Sequence, residues 1–239
     1  MKWNYFLLTA LLISLLSSCA VKKESKHLFI LSGQSNMQLL APEESFVPIL
    51  EKEFGNGNVL VAKYAIGTQS IRKWYKNWKS PIGKQVQAEP ILYDSLMKRV
   101  HPLVQKKRIA TVTFVWMQGE RDARMKRGEV YEQSLLGLYK QLSEDLDRDD
   151  INFVIGRIND RDMMNKQWPH WTLIRDIQVK VANSNQRFDW VNTDDLNDGI
   201  NRKGEKIKNH IHMSANGYIT LGERFAKKAI KLIDKNGNN

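Results

Sequence analysis

The stretch Phe29-Ile30-Leu31-Ser32-Gly33-Gln34-Ser35-Asn36-Met37 joins an apolar run to a turn of small and polar residues. Residues 27–31 are rich in Leu, Ile and Phe, as buried parallel strands are. Ligands of open parallel sheets bind beyond the carboxyl ends of the strands, so the turn that carries Ser35 is a place to expect chemistry. Backbone N–H groups at the start of the following helix could stabilise an oxyanion beside this serine. Ser35 could equally serve only as a helix N-cap.

Four more apolar runs follow, and amphipathic segments separate them. The runs are residues 59–64, 109–116, 151–158 and 189–192, and the segments with helical spacing are residues 91–104, 130–146, 171–182 and 215–233. Strand alternating with helix predicts one three-layer α/β/α domain around a mainly parallel, five-stranded sheet with right-handed connections. The long connection at residues 68–89 is a candidate binding loop.

Composition and charge narrow the class of protein. The 239-residue chain is 42% hydrophobic and 26% charged, which is close to the globular average and excludes a disordered, collagen-like or coiled-coil chain. Its net charge of +11 would suit nucleic acid, a membrane surface or an acidic sugar, or could simply reflect a solvated basic surface. Because the basic residues are scattered and no recognition motif appears, we expect no nucleic-acid partner. The sequence leaves the oligomeric state open.

The N-terminus has the features of a bacterial lipoprotein signal. Lys2 precedes an apolar run at residues 6–16, which suits the core of a signal peptide and is short for a membrane span. Leu16-Ser17-Ser18-Cys19 resembles a bacterial lipobox, whose cysteine, here the only one in the chain, carries a lipid. An ordinary membrane anchor and an unlipidated secretion signal are the alternatives.

This reading gives the chain four parts. We expect a signal peptide at residues 1–18, a tether at 19–26, the folded domain at 27–235 and a flexible tail at 236–239. The lipid on Cys19 would hold the domain to a membrane of the bacterial cell envelope, on the side away from the cytoplasm.

Polar residues also stand beside the other predicted elements at the same edge of the sheet. Gly67 follows the second strand, Gln118, Glu120 and Asp122 follow the third, and Asn209 and His212 precede the last helix. A serine, a histidine and a carboxylate from separate loops can form a nucleophile, a base and an orienting group in any chain order. Each also has a plainer interpretation, with His212 as a helix cap, Glu120 as a surface charge and Gln118 as a buried amide.

Three blocks together resemble a known family. Residues 29–37 are similar to the first block of the sialate O-acetylesterase-like branch of the SGNH/GDSL hydrolases, which includes carbohydrate esterase family six. Residues 116–123 resemble the family's Trp-His-Gln-Gly-Glu-x-Asp-Ala block, and residues 65–74 its glycine-bearing second block. The resemblance extends over residues 27–233 and implies the flavodoxin-like SGNH fold.

The resemblance implies a role for several residues. Ser35 would attack an acetyl carbonyl and His212 would take its proton, while the Ser35 N–H, the Gly67 N–H and the Gln118 side chain would bind the oxyanion. The substrate would be an acetylated carbohydrate, such as acetylated xylan, sialic acid or a related glycan. No metal or organic cofactor is expected, since this route needs only a nucleophile, a base and fixed donors. His210 and His212 lack a third metal ligand spaced nearby.

The sequence departs from the family pattern at the residue that orients the histidine. The usual Asp three residues before the catalytic His is Asn209 here, and an amide carries no charge to stabilise the imidazolium. We therefore assign the orienting carboxylate to Glu120, with Asp122 as the second choice. Met117 and Ile66 also replace a usual His and Gly, which affects the shape of the substrate site.

Two other functions stay open at this point. Because Asn209 replaces the usual Asp, the protein could also be a catalytically weak or inactive carbohydrate-binding lipoprotein with the same fold. An esterase for lipid or thioester acyl chains would need a long apolar groove, whereas the tryptophans suggest sugar-stacking surfaces, although tryptophans commonly fill cores. The tryptophans concerned are Trp74, Trp78, Trp168 and Trp171.

Overall fold

The computed structural model describes residues 25–81 and 86–237 and contains a five-stranded, all-parallel sheet. The sheet order is β2-β1-β3-β4-β5, which puts the strand of the opening stretch beside the central strand. The strands are β1 (Lys26–Gly33), β2 (Val59–Ala65), β3 (Ile109–Met117), β4 (Asn152–Gly156) and β5 (Phe188–Val191). The predicted α/β class and the five predicted strands are confirmed.

Seven helices accompany the sheet in the described part of the chain. They are α1 (Ser35–Leu39), α2 (Phe46–Phe54), α3 (Ile91–Val104), α4 (Glu120–Arg124), α5 (Tyr131–Leu146), α6 (Trp171–Ala182) and α7 (Ala215–Gly237). The four predicted helices are α3, α5, α6 and α7, and the structure confirms them with bounds that agree to within four residues. None of the helices in the described ranges is long and apolar enough to cross a membrane.

The two faces of the sheet bury separate cores, and the alternation of side chains along β1 shows why. Leu28 and Ile30 lie on the face that α3, α5 and α6 cover. Phe29 and Leu31 point to the opposite face, which α1, α2 and α7 cover. Each such fully buried side chain contributes roughly 1.5–3 kcal/mol, so both helical layers are bound to the sheet by apolar contact. The predicted three-layer arrangement is therefore confirmed.

Gly33 lets the chain leave β1 and enter α1. Its φ is +142°, and a Cβ atom at this position would lie 1.9 Å from the carbonyl oxygen of Met117 on β3. Any side chain would push β1 and β3 apart at their carboxyl ends. The glycine thus positions Gln34 and Ser35 at the edge of the sheet, next to the end of β3.

Sequence periodicity missed the short elements. The helix α2 and the antiparallel hairpin of β6 (Gly199–Ile200) and β7 (Lys206–Ile207) have no counterpart among the predictions. The two strands of the hairpin have two residues each, which is too few for an alternating pattern to appear.

The expectation that four tryptophans offer sugar-stacking surfaces is wrong for three of them. Trp74 and Trp171 are fully buried and Trp78 is 4% exposed, so these rings fill the core. Trp74 Nε1–H donates to Ser32 Oγ at 2.9 Å, and this bond ties the long connection after β2 to the first strand. Trp168 is the one of the four whose ring stays partly at the surface.

The predicted signal peptide, Cys19 and most of the tether lie outside the described residues. The first strand already includes Lys26, the last residue of the predicted tether. The last helix continues to Gly237, two residues into the predicted tail.

Candidate active site

Ser35 and His212 are brought to the same point by a hydrogen bond between their neighbours. Ser35 begins α1 directly after β1, and the Asn36 side chain donates from Nδ2 to the Ile211 carbonyl oxygen at 3.0 Å. The residue after the serine is therefore joined to the residue before the histidine, across 175 positions of sequence. Both Ser35 and His212 are half-buried. The structure describes no hydrogen bond between the Ser35 hydroxyl and the His212 ring.

Gly67, a predicted oxyanion donor, lies close to Ser35. A Cβ atom at Gly67 would be 3.5 Å from the Ser35 Cβ, which is an ordinary contact distance, and 3.1 Å from Gln38 Oε1, which is tight. The Gly67 N–H donates to Gln38 Oε1 at 2.8 Å. The Ser35 N–H, at the first position of α1, has no acceptor in the described part of the chain. One predicted donor is thus open, and the other is occupied by a side chain from the same helix as Ser35.

Gln118 lies deeper than its predicted role requires. It is fully buried, and its Nε2 atom donates to Asp122 Oδ2 at 2.6 Å and to the Gln69 carbonyl oxygen at 3.1 Å. Gln34 Oε1 is a further acceptor at 3.3 Å. The amide therefore braces the three loops beneath Ser35, and its N–H groups point to acceptors inside the protein.

Glu120 contacts the serine helix and not the histidine ring. It is 2% exposed, and its Oε1 atom accepts from Asn36 Nδ2 at 2.9 Å. The Asn36 side chain in turn accepts from the Tyr218 hydroxyl at 3.0 Å. Burial raises the pKa of Glu120 above its ordinary value, and the Asn36 hydrogen bond offsets part of that rise. Glu120 thus reaches the His212 segment through Asn36 and the Ile211 carbonyl.

Asp122, the second choice for the orienting acid, is fully occupied elsewhere. Its two oxygens accept from the Ser70 hydroxyl at 2.6 Å, the Ile71 N–H at 2.8 Å and Gln118 Nε2. Burial raises the pKa of Asp122, and these three donors lower it in part. Asp122 therefore fixes the loop after β2 to the loop after β3.

Asn209 also faces away from the histidine ring. The Asn209 side chain donates to the Arg161 carbonyl oxygen at 3.2 Å and accepts from Asn197 Nδ2 at 3.4 Å. The His212 N–H donates to His210 Nδ1 at 3.0 Å. Among the described residues, no hydrogen bond joins the His212 ring to Glu120, Asp122 or Asn209. The expected orienting contact is absent from this conformation, because each of the three side chains is held by other partners.

The His212 ring lies in surroundings that favour its neutral form. Burial, followed by the charges of His210 and Arg161, lowers the pKa of His212 below its ordinary value. The rings of His210 and His212 are 5.4 Å apart between centroids. No group of three or more His, Cys, Asp or Glu side chains within residues 25–81 and 86–237 is placed to hold a metal ion.

No role was predicted for four residues whose side chains form hydrogen bonds between the segments of this site: Gln34, Asn36, Gln38 and Tyr218. Gln34 and Asn36 flank Ser35 in the opening stretch, and polar residues in such a tight turn are a signal for buried hydrogen bonds. Tyr218 lies 182 positions from its partner Asn36, so local pattern could not indicate that pairing.

A cleft of about 560 Å³ opens between α1 and the carboxyl end of β2, and its lining does not include Ser35 itself. Its wall includes Gln38 and Ile66, which neighbour Ser35 on α1 and Gly67 after β2, and also Tyr64 and Arg99. This volume falls in the range of small-molecule sites, and the cleft reaches the serine helix through Gln38.

Solved structures with a similar fold include a carbohydrate acetylesterase. A protein from Arabidopsis thaliana shares 16% identity and a TM-score of 0.63, over 87% of this chain and 98% of that one. NanS gives 11% identity and a TM-score of 0.61, over 89% of this chain and 99% of NanS. A carbohydrate acetylesterase from Xanthomonas citri gives 17% identity and a TM-score of 0.57, over 82% of this chain and 41% of that one. These likenesses show the SGNH-like fold.

The family of this chain is shown by a match between its sequence and a family model. Residues 38–231 match the family model described as "Carbohydrate esterase, sialic acid-specific acetylesterase", a match that begins just after Ser35 and includes His212. No curated protein matches the chain. The chain therefore belongs to this family of carbohydrate esterases, whose enzymatic class is carbohydrate O-acetylesterase.

Proposed function

We propose that the protein removes O-acetyl groups from carbohydrates through an acetyl-enzyme formed on Ser35. The observation that carries this proposal is the Asn36 to Ile211 hydrogen bond, which holds the serine and histidine segments together at the sheet edge. The proximity of Gly67 to Ser35 supports the proposal further, since both backbones approach the same point. Family membership supports the reaction class, and this geometry supports the choice of Ser35 and His212.

The reaction would proceed in two halves. His212 takes the Ser35 proton as Oγ attacks the acetyl carbonyl carbon, and the imidazolium then returns that proton to the departing sugar oxygen. Water next attacks the acetyl-enzyme with His212 again as base, which releases acetate and restores the serine. The Ser35 N–H would stabilise the oxyanion of both tetrahedral intermediates. The Gly67 N–H would join it once the substrate oxygen replaces Gln38 Oε1.

The test of this function is acetate release from defined substrates. O-acetylated sialic acid, acetylated xylan and other acetylated glycans should be compared with p-nitrophenyl acetate, using purified wild-type protein. We expect acetate from at least one acetylated sugar at a higher kcat/KM than from the nitrophenyl ester. A protein that binds these sugars and releases no acetate from any substrate would instead be the inactive carbohydrate-binding alternative.

The pH profile should report the surroundings of His212. A general base acts in its neutral form, so kcat/KM should rise with pH through the pKa of His212 and then reach a plateau. Since burial, His210 and Arg161 lower that pKa, we expect the midpoint of the rise below the ordinary value of 6.5. Rates of p-nitrophenyl acetate hydrolysis between pH 4 and pH 9 measure it. A midpoint above 6.5 would contradict this environment and would indicate a carboxylate in contact with the ring.

Glu120 acts, in this proposal, as a positioning residue through Asn36. In Glu120→Gln the Oε1 atom can still accept from Asn36, so we expect kcat to fall less than about 10-fold, the equivalent of one weakened hydrogen bond. A carboxylate that orients His212 directly would instead cost about 10²- to 10⁴-fold when neutralised. The new amide N–H₂ would occupy the enclosed place of Oε2, which has no partner in the described part of the chain, so the melting temperature should fall.

Two further variants control this experiment. Glu120→Ala removes the acceptor altogether and should lower kcat more than Glu120→Gln does. Asn209→Ala should cost little, because the Asn209 side chain contacts Arg161 and Asn197 and not His212. A loss above 10²-fold in a folded Glu120→Gln protein would restore direct orientation by the carboxylate, and an equal loss in Asn209→Ala would move that role to Asn209.

A further inference from the structure

The Gln38 side chain occupies a backbone donor that the proposed reaction needs. Gln38 lies three residues after Ser35 on α1, and this spacing puts two side chains on the same face of a helix. Its Oε1 atom accepts from the Gly67 N–H at 2.8 Å. Because a backbone N–H can only donate, this contact fixes which atom of the amide faces Gly67. The Gln38 oxygen therefore holds the same N–H that an oxyanion on Ser35 would use.

The backbone of Gln38 is fixed, whereas its side chain is exposed. Lys63 Nζ on β2 donates to the Gln38 carbonyl oxygen at 3.0 Å and also to that of Leu40. The Gln38 side chain is exposed, and its Nε2 atom has no acceptor among the described residues. A hydrogen bond of this kind contributes little net free energy, because water can replace it. The amide can therefore leave Gly67 while α1 stays in place.

Gln38 also lines the cleft of about 560 Å³ between α1 and the carboxyl end of β2. The other polar side chains in the wall of this cleft are Glu43, Lys63, Tyr64 and Arg99. A few polar groups of this kind are what orients a ligand in a small-molecule site, and they suit the hydroxyl groups of a sugar. The Gln38 side chain thus borders the cleft and holds the Gly67 N–H at the same time.

We infer that Gln38 couples the filling of this cleft to the opening of the oxyanion site, and so selects esters of sugars over smaller esters. The inference rests on the proposed function, because it needs an oxyanion on Ser35. In the free protein the Gln38 oxygen blocks the Gly67 N–H. A sugar hydroxyl in the cleft takes the Gln38 amide as its partner and leaves this N–H to the acetyl oxygen. Gln38 is thus a specificity residue, and it takes no part in the bonds made and broken.

The two hydrogen bonds of the Gln38 amide set the size of the effect. A small ester must break the contact to Gly67 without a replacement in the cleft, whereas a sugar exchanges it for a contact of similar strength. For the small ester the open site is therefore a minor state, and this lowers kcat/KM by the fraction that is open. The net strength of one hydrogen bond corresponds to about 2- to 10-fold in rate.

The test compares a small ester with an acetylated sugar in Gln38→Leu. Leucine has a helix propensity close to that of glutamine and offers no acceptor to Gly67. We expect kcat/KM for ethyl acetate to rise about 2- to 10-fold, because the N–H is open from the start. For the best acetylated sugar the loss of the cleft contact offsets this gain, so its kcat/KM should stay within about 2-fold of wild type. Acetate release measures both rates, and the melting temperature reports the fold.

Two further variants make the result specific. Gln133→Leu makes the same change at an exposed glutamine of α5 and should leave both rates unchanged. Gln38→Glu offers the Gly67 N–H a charged acceptor, which binds about twice as strongly and repels the oxyanion, so both rates should fall by at least about 10-fold. An ethyl acetate rate that Gln38→Leu leaves unchanged or lowers would overturn the inference, and so would an equal rise for both substrates.

Binding separates this inference from the catalytic proposal. N-acetylneuraminic acid and xylobiose can be titrated into Ser35→Ala protein while the NMR signals of the Gly67 N–H and the Gln38 side-chain amide are followed. If either sugar moves both signals, and the Gly67 change is lost in Gln38→Leu, the coupling between cleft and Gly67 is supported even if no acetate is ever released. Acetate release from acetylated sugars with both signals unmoved would support the esterase and overturn the role of Gln38.

Discussion

A Ser35→Ala protein should fold normally and release acetate roughly 10⁴- to 10⁶-fold more slowly than wild type, as expected when the nucleophile of a serine hydrolase is removed. The physical reason is that α1 contains no hydroxyl other than that of Ser35, and the Thr68 hydroxyl is engaged with the Gly67 carbonyl oxygen. The measurement is kcat for the best acetylated sugar, with the melting temperature recorded for the same preparations.

Ser95→Ala is a matched control for this loss. The Ser95 hydroxyl donates to the Ile91 carbonyl oxygen within α3, away from the sheet edge. The Ser95→Ala substitution removes a serine hydroxyl from a different helix and should leave kcat at the wild-type value. A folded Ser35→Ala protein with more than a tenth of the wild-type rate would exclude Ser35 as the nucleophile.

The His212→Ala protein should lose kcat by about 10³- to 10⁶-fold, because an unassisted serine hydroxyl is a poor nucleophile at neutral pH. The rise of kcat/KM with pH that His212 produces in wild type should disappear from the residual rate. Added imidazole should recover part of the activity if it can enter the space that the half-buried ring leaves.

His210→Ala is the control for this prediction. Its ring is 5.4 Å from that of His212, and His210 Nδ1 accepts the His212 N–H, so it belongs to the same loop without the proposed role. We expect a fall below about 10-fold from the loss of one hydrogen bond. Equal losses in the two variants would mean that the segment needs both rings for its shape, and the base would no longer be assigned to His212 alone.

The fold was predictable because its signals are local. Each strand of the sheet is a short apolar run, and each of the long helices α3, α5, α6 and α7 repeats apolar residues at helical spacing. Residues 29–37 also indicated that the chain turns at the end of the first strand. The structure shows this turn at Gly33, beside Met117. The hairpin of β6 and β7 escaped prediction because two residues per strand carry no period.

The candidate site was predictable as a location but not as a set of contacts. Strand ends indicate which loops meet, and the structure puts Gly67 close to Ser35 and joins the residue after Ser35 to the residue before His212. The direction of a side chain depends on partners from distant segments, which no local pattern contains. Glu120 therefore binds Asn36 and not His212, and the Gln118 amide binds Asp122 and not the space above Ser35.

The tryptophans illustrate the same limit. A tryptophan in the sequence does not by itself show whether its ring stacks on a sugar or fills a core. Trp74 is buried because its connection folds back over the sheet to bond Ser32, and this tertiary contact is invisible in the spacing of residues 68–89. Trp168 stays near the surface, where it supports Arg161.

The central claim is the acetyl-enzyme on Ser35, and its most direct test is the mass of the peptide that contains Ser35 during turnover. Wild-type protein is mixed with p-nitrophenyl acetate, quenched in acid during the first turnover and digested for mass spectrometry. We expect one acetyl group on Ser35, formed with the burst of nitrophenol and lost again as substrate is consumed. A burst with an unmodified Ser35 peptide, or an acetyl group on another side chain, would contradict it.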